Sequence, residues 1–142
     1  MPGAWAKKYF LASRALIEAV LRPYDLGNTQ WYVLYRLSNQ GLISQRELTR
    51  ELEVERATLS AVIAALVRKG LIEQIPDPVD QRQRLLRITP AGTALWEVLP
   101  DPAALIAEVA FGGVAPADIA TMNRVLRGAT TRLTEYKKEA RS

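Results

Sequence analysis

The 142-residue chain carries 19 basic and 15 acidic residues for a net charge of +4; its length fits one domain with a hydrophobic core, or one small domain plus an added helical arm, rather than two independent domains. It contains neither Cys nor His, which excludes disulfides, thiolate nucleophiles, imidazole bases and the usual nitrogen and sulfur metal ligands. No apolar run approaches the roughly 18 residues of a membrane span, and the opening "MPGAWAKKYFLASRALIEAV" is too mixed in polarity for a secretory signal, so a cytoplasmic protein with no membrane partner and no cofactor is expected.

Periodicity predicts a mainly α chain. Over residues 4–22, Leu11, Ala12, Ala15, Leu16, Ala19 and Val20 recur at helical spacing until Pro23 stops the run. "GNTQWYVLYRLSNQG" predicts a second helix with Asn28 or Thr29 as N-cap, Trp31, Leu34 and Leu37 inward, and Gly41 as its stop. Ser44 and Glu47 form a Ser-x-x-Glu capping box that opens a short third helix ending near Leu52. A fourth helix over 56–69 turns Leu59, Val62, Ile63, Leu66 and Val67 to one side and stops at Gly70. Two short helices so closely joined are a helix-turn-helix arrangement.

"LIEQIP" and "RLLRIT" flank the turn "DPVDQRQ" and predict a β-hairpin. Three arginines crowd this ribbon, with Arg82 and Arg84 at or near its tip and Arg87 further along. Thr89 as N-cap and Pro90 at the first helical position open a fifth helix, bent or broken around Pro100 and Pro102 and ended by Gly112 and Gly113. The last segment spaces Ile119, Met122, Leu126, Ala129, Leu133 and Tyr136 as one apolar stripe, with Asp118 in its first turn and Lys137 and Lys138 in its last. Such a stripe needs its own domain or a partner chain to cover it. The catalytic inventory is thin: no carboxylate pair or Ser/Lys arrangement stands at a meaningful spacing, so no enzyme is expected.

In this order of elements, residues 28–99 resemble a winged helix-turn-helix of the MarR family of transcriptional regulators. The matching stretches are "TQWYVLYRL", "ELTRELEVERATLSAVIAALVRKGLIEQ" and "DPVDQRQRLLRITPAG", the most specific being Asp80-x-Arg82 followed by Thr89-Pro90-x-Gly92. With the flanking helices the resemblance covers nearly the whole chain. It implies a single MarR-like domain over 1–142, with a winged lobe at 28–99 and helical dimerisation regions at 4–22 and 100–138. It also implies a homodimer on a pseudo-palindromic operator in double-stranded DNA, with the fourth helix in the major groove and the wing, through Arg82, in the minor groove. The DNA-contacting set would be Ser44, Gln45, Arg46, Arg56, Ala57, Ser60, Arg68, Arg82 and Arg84. Asp80 would orient the wing loop or pair with an arginine.

The resemblance further implies a small aromatic or lipophilic effector between the dimerisation helices and the lobe, for which Tyr9, Trp31 and Tyr35 are the candidates. Oxidation sensing through Cys is excluded. A repressor is the reading favoured over an activator. A winged-helix protein-interaction module without specific DNA binding is the alternative.

Two features of the residues bear on affinity. The face of the fourth helix opposite its core stripe shows Ala57, Ser60, Ala61, Ala64 and Arg68; where the family often has Ser or Thr as cap and a basic residue near 61, this chain has Glu55 and Ala61. Small side chains allow contact with thymine methyls but supply few phosphate contacts. From Ile43 to Pro90 the basic residues number eight (Arg46, Arg50, Arg56, Arg68, Lys69, Arg82, Arg84, Arg87) and the acidic seven (Glu47, Glu51, Glu53, Glu55, Glu73, Asp77, Asp80). A nearly neutral module predicts only moderate affinity for a polyanion.

Overall fold

A computed structural model describes all residues, Met1–Ser142. They fall into two compact units, Met1–Pro102 and Ala103–Ser142.

The first unit opens with α1, Ala4–Leu21, which runs into a 3₁₀ turn over Arg22–Tyr24. Pro23 sits inside that turn, where its ring and missing N–H forbid continuing the α-helix. Leu21 is fully buried and Ile17 packs against the core, whereas Leu11, placed on the predicted inner stripe, is 53% exposed. Helix α2, Asn28–Gln40, is capped one residue before the sequence suggested: the N-cap is Gly27, whose N–H donates to Gln30 Oε1 at 3.2 Å. Its buried face is Val33, Leu34 and Leu37, and Gly41 ends it at a positive φ.

Strand β1, Ile43–Ser44, was not visible in the sequence, because two residues carry no alternation to read. It leads directly into α3, Gln45–Leu52, where Ser44 Oγ accepts from Glu47 N–H at 3.0 Å as the cap predicts. After a turn with Glu53 in the left-handed region, α4 spans Arg56–Arg68 and buries Leu59, Ile63 and Leu66. Val67, expected inward, is 38% exposed; it lies beyond the narrow line that positions 59, 63 and 66 define.

The hairpin is β2, Ile72–Pro76, paired antiparallel with β3, Arg84–Ile88, from Ile72↔Ile88 to Pro76↔Arg84. Strand β1 pairs along the other side of β3, so the wing is a three-stranded sheet of order β1-β3-β2 and Pro76 sits on an edge strand, where a missing donor costs little. Helix α5, Pro90–Val98, starts at Thr89. Here the Thr-Pro-x-Gly signature has a physical cause. Thr89 Oγ1 donates to Gly70 O at 2.6 Å and accepts from Gly92 N–H at 3.0 Å, while Thr89 N–H donates to Leu71 O at 3.0 Å. A Cβ on Gly92 would stand 2.1 Å from Leu71 O, so only glycine lets the first turn of α5 lie against this backbone. One cluster of buried apolar residues, from Leu21 to Leu86, forms the core of this unit.

Proline does break the fifth helix of the sequence reading: α5 ends at Val98 and α6 runs over Pro102–Phe111. In the second unit, α6 is followed by Gly112 and Gly113, the latter at φ 83°, and by α7, Pro116–Arg141, none of whose residues is buried. Along its apolar stripe Leu126, Leu133 and Tyr136 are 45%, 72% and 73% exposed. No single helix is long and apolar enough to cross a membrane.

Candidate nucleic-acid interface

Capping by Ser44 fixes the start of α3, and its positions 46, 49, 50 and 53 then share one face at helical spacing. That face, carrying Arg46, Thr49, Arg50 and Glu53, lines a groove of about 710 Å³ together with Gln45, with Arg56 and Ser60 of α4, and with Arg82, Gln83 and Arg84 of the wing. A chain of amides holds the elements in place: Gln74 Nε2 on β2 donates to Gln45 Oε1, and Gln45 Nε2 donates to Ser60 Oγ, both at 3.2 Å.

The wing loop is organised by Asp77, a buried carboxylate. Its oxygens accept from Val79 N–H at 2.8 Å, Asp80 N–H at 3.3 Å and Gln83 Nε2 at 2.6 Å. The Val79 amide most of all, then Gln83 and the Asp80 amide, hold the Asp77 carboxyl below the usual carboxylate range, against the opposing effect of burial. Asp80 orients the tip by accepting from Arg82 N–H at 3.0 Å, and its Oδ1 is 3.9 Å from the Arg82 guanidinium. The Arg82 side chain is nevertheless 93% exposed.

Charge that is nearly balanced along the chain is sorted in space. Glu51 accepts from Arg36 Nε at 2.7 Å and Nη2 at 2.5 Å, an interaction that raises the pKa of Arg36. Glu73 and Arg87 are cross-strand neighbours joined as an ion pair, so the third hairpin arginine is engaged within the sheet. Asp77 pairs with backbone and Gln83 rather than with any arginine. Lys69 turns away to the α1–α2 junction, where it meets Asp25 and Gln30. The groove is lined by five arginines, 46, 50, 56, 82 and 84, and one carboxylate, Glu53; Asp80 stands 3.9 Å from the Arg82 guanidinium and Glu47 lines the adjoining hollow with Arg46 and Arg50. Arg56 has no ion pair with Glu53 or Glu55. The near-neutral count for this module therefore coexists with a groove lined by more arginines than carboxylates.

Residues 24–83 match the sequence profile of the MarR family. The multiple antibiotic resistance protein MarR of Salmonella typhimurium is 37% identical over 82 residues, 58% of this chain and 57% of that protein, so the chain matches little more than half of that relative's length. The transcriptional repressor NicR of Pseudomonas putida is 27% identical over 112 residues, 79% of this chain and 71% of the other. Among solved structures, Bordetella bronchiseptica BpsR, whose DNA binding is regulated by 6-hydroxynicotinic acid, is 28% identical with a TM-score of 0.80 over 92% of this chain and 93% of that one. The chain is similar to regulators of the MarR family.

In this lobe the groove gathers Gln45, Arg46, Arg56, Ser60, Arg82 and Arg84. Ser44 caps α3 and lines an adjoining hollow with Glu47 and Glu51. Ala57 stands on the exposed face of α4, and Arg68 lies at the opposite end of that helix from Arg56. Sequence reasoning passed over Arg50, Thr49 and Gln83. The first two follow from Arg46 by the spacing of one helical face, and Gln83 is fixed by a contact with Asp77 that no periodicity encodes.

Of the aromatic candidates, Trp31 and Tyr35 stack at 5.5 Å between ring centroids, joined by Trp96 at 5.6 and 6.1 Å and by Tyr32 at 6.1 Å from Tyr35. Tyr9, on α1, is 45% exposed. Trp31 Nε1–H is buried without an acceptor, an unusual state for an indole donor.

Proposed function

We propose that this protein is a homodimeric, sequence-specific DNA-binding transcriptional regulator, a repressor relieved by a small aromatic or lipophilic ligand, acting in the cytoplasm. The observation that carries the reading is the sorting of charge: five arginines from α3, α4 and the wing line one groove with a single carboxylate. Phosphate contacts dominate affinity for DNA, and an array of arginines at a helix-turn-helix and its wing is where a duplex would meet them. NicR, a repressor by name, and BpsR, whose DNA binding answers to 6-hydroxynicotinic acid, support the same reading by similarity.

Under it, the lobe at 28–99 contacts DNA, and the regions 4–22 and 100–138 join two copies. Support for the second part comes from the uncovered stripe of α7 and from Phe10 and Leu11 of α1, at 54% and 53% exposure. Ser44 and Gln45 would meet phosphate near the start of α3, and Arg82 would enter the minor groove. The orphan Trp31 N–H, stacked beside Tyr35, suits a ligand bearing an aromatic ring and an acceptor oxygen, with Tyr9 a third candidate contact. The protein acts by binding rather than by catalysis.

Selection of bound sequences from random duplex DNA tests the proposal: a recovered near-palindrome with half-sites about 34 Å apart is expected. One feature favours a second reading, a protein-interaction module, namely the uncharged surface of α4 between Arg56 and Arg68, where Val67 adds an exposed apolar side chain. A selection that enriches no sequence supports that alternative.

A further inference from the structure

We infer that the exposed face of α4 reads thymine C5-methyl groups in the major groove, so that base discrimination comes from apolar contacts while the arginines supply attraction that is blind to sequence. The inference rests on the DNA-binding reading above and specifies what that site recognises.

Leu59, Ile63 and Leu66 are buried at 0%, 1% and 0% exposure, which turns Ala57, Ser60, Ala61 and Ala64 outward. Between Arg56 and Arg68 the helix sequence is "ATLSAVIAALV", with no Arg, Lys, Asn, Gln, Asp or Glu. Side chains of those types make the paired hydrogen bonds by which a helix distinguishes bases in the major groove, and this stretch offers none. Its polar groups are Thr58 and Ser60, and Ser60 Oγ already accepts from Gln45.

Methyl groups remain. Ala57, Ala61 and Ala64 follow one line at i, i+4 and i+7, and at 1.5 Å per residue they span about 10 Å, roughly three base-pair steps. Because these side chains are short, nothing on the face holds the helix backbone away from the base edges. The apolar feature of the major groove is the thymine methyl; a cytosine placed there would instead bring an amino donor against alanine and leave it unpaired. Arg56, Arg46 and Arg50 border this face in the groove and account for attraction without sequence preference.

The test uses the full-length protein and an operator recovered by selection. Each thymine is replaced singly by deoxyuridine, which removes the methyl and leaves every hydrogen-bonding edge unchanged. Thymines beneath α4 should lose about fourfold in affinity each, the worth of burying one methyl carbon, and thymines outside its footprint should lose nothing measurable. With A61G protein the loss at the facing thymine should shrink toward onefold while losses at other thymines persist. Sequence-dependent binding that survives every deoxyuridine replacement unchanged would overturn the methyl reading and leave DNA recognition standing. Failure to bind any duplex would overturn both.

Discussion

The groove and the stripe of α7 are both open surfaces, and they are left open in opposite ways. Around the groove, three carboxylates are engaged elsewhere, Glu51 by Arg36, Glu73 by Arg87 and Asp77 by its own loop, while Glu53 lines the groove and Asp80 stands 3.9 Å from the Arg82 guanidinium. On α7 the apolar stripe is half-buried at Ile119, Met122 and Ala129 and open further along, where Leu133 and Tyr136 are more than 70% exposed. Unbalanced positive charge calls for a polyanion, and uncovered apolar surface calls for protein. The two surfaces thus divide the proposed work, DNA at one and the partner copy at the other.

The comparison breaks first, and by the largest margin, at the arginines. Replacing Arg50, Arg82 and Arg84 together by Ala should cost about 3 kcal/mol or more of DNA affinity, roughly 100-fold, measured by fluorescence anisotropy on the selected operator. Thermal stability should hardly change, since all three side chains are exposed and none belongs to the core. A second cut falls on α7. Leu133→Asp should weaken self-association by about 2 kcal/mol through lost apolar burial, read by sedimentation, while melting of the lobe stays put.

A smaller effect sharpens the groove side. Asp77→Asn should loosen the wing and lower operator affinity severalfold without altering self-association. It should also remove part of the acid response. Because the folded state holds the Asp77 carboxyl below its unfolded value, its contribution to stability is present above an unfolded pKa near 3.9 and is lost as pH falls through the lower folded value. The wild type should therefore lose more stability than the Asn variant when acid melts are compared below about pH 4.

Much of this architecture was legible in the sequence because it is written in local chemistry. The Ser44 cap, the hairpin about Asp77–Gln83, the Thr89-Pro90 start and the proline break after α5 each depend on residues a few positions apart. Gly92 was legible as part of a signature, but its reason, the Leu71 carbonyl against α5, is a contact between residues 21 positions apart. Strand β1 was too short to show a period. Charge sorting was the least legible feature. Counting residues from 43 to 90 treated Glu51 as available, yet its partner Arg36 lies outside that window on α2. Asp77 enters a charge count as one more carboxylate, yet an aspartate that accepts from the amide two residues on is a turn former, and the sequence Asp-Pro-x-Asp does carry that signal. Exposure of Val67 and Leu11 shows the limit of stripe reading: helical spacing gives a direction, and the width of the covering surface decides which edge residues it reaches.

The central claim is that the groove is a phosphate-binding surface whose arginines act together. The salt dependence of operator affinity tests it most directly. Plotted as log K against log salt, the wild type should fall steeply, and its slope should flatten by about 0.9 for each groove arginine removed that contacts a phosphate. A flat plot for the wild type, or a slope unchanged when Arg50, Arg82 and Arg84 are all alanine, would contradict it.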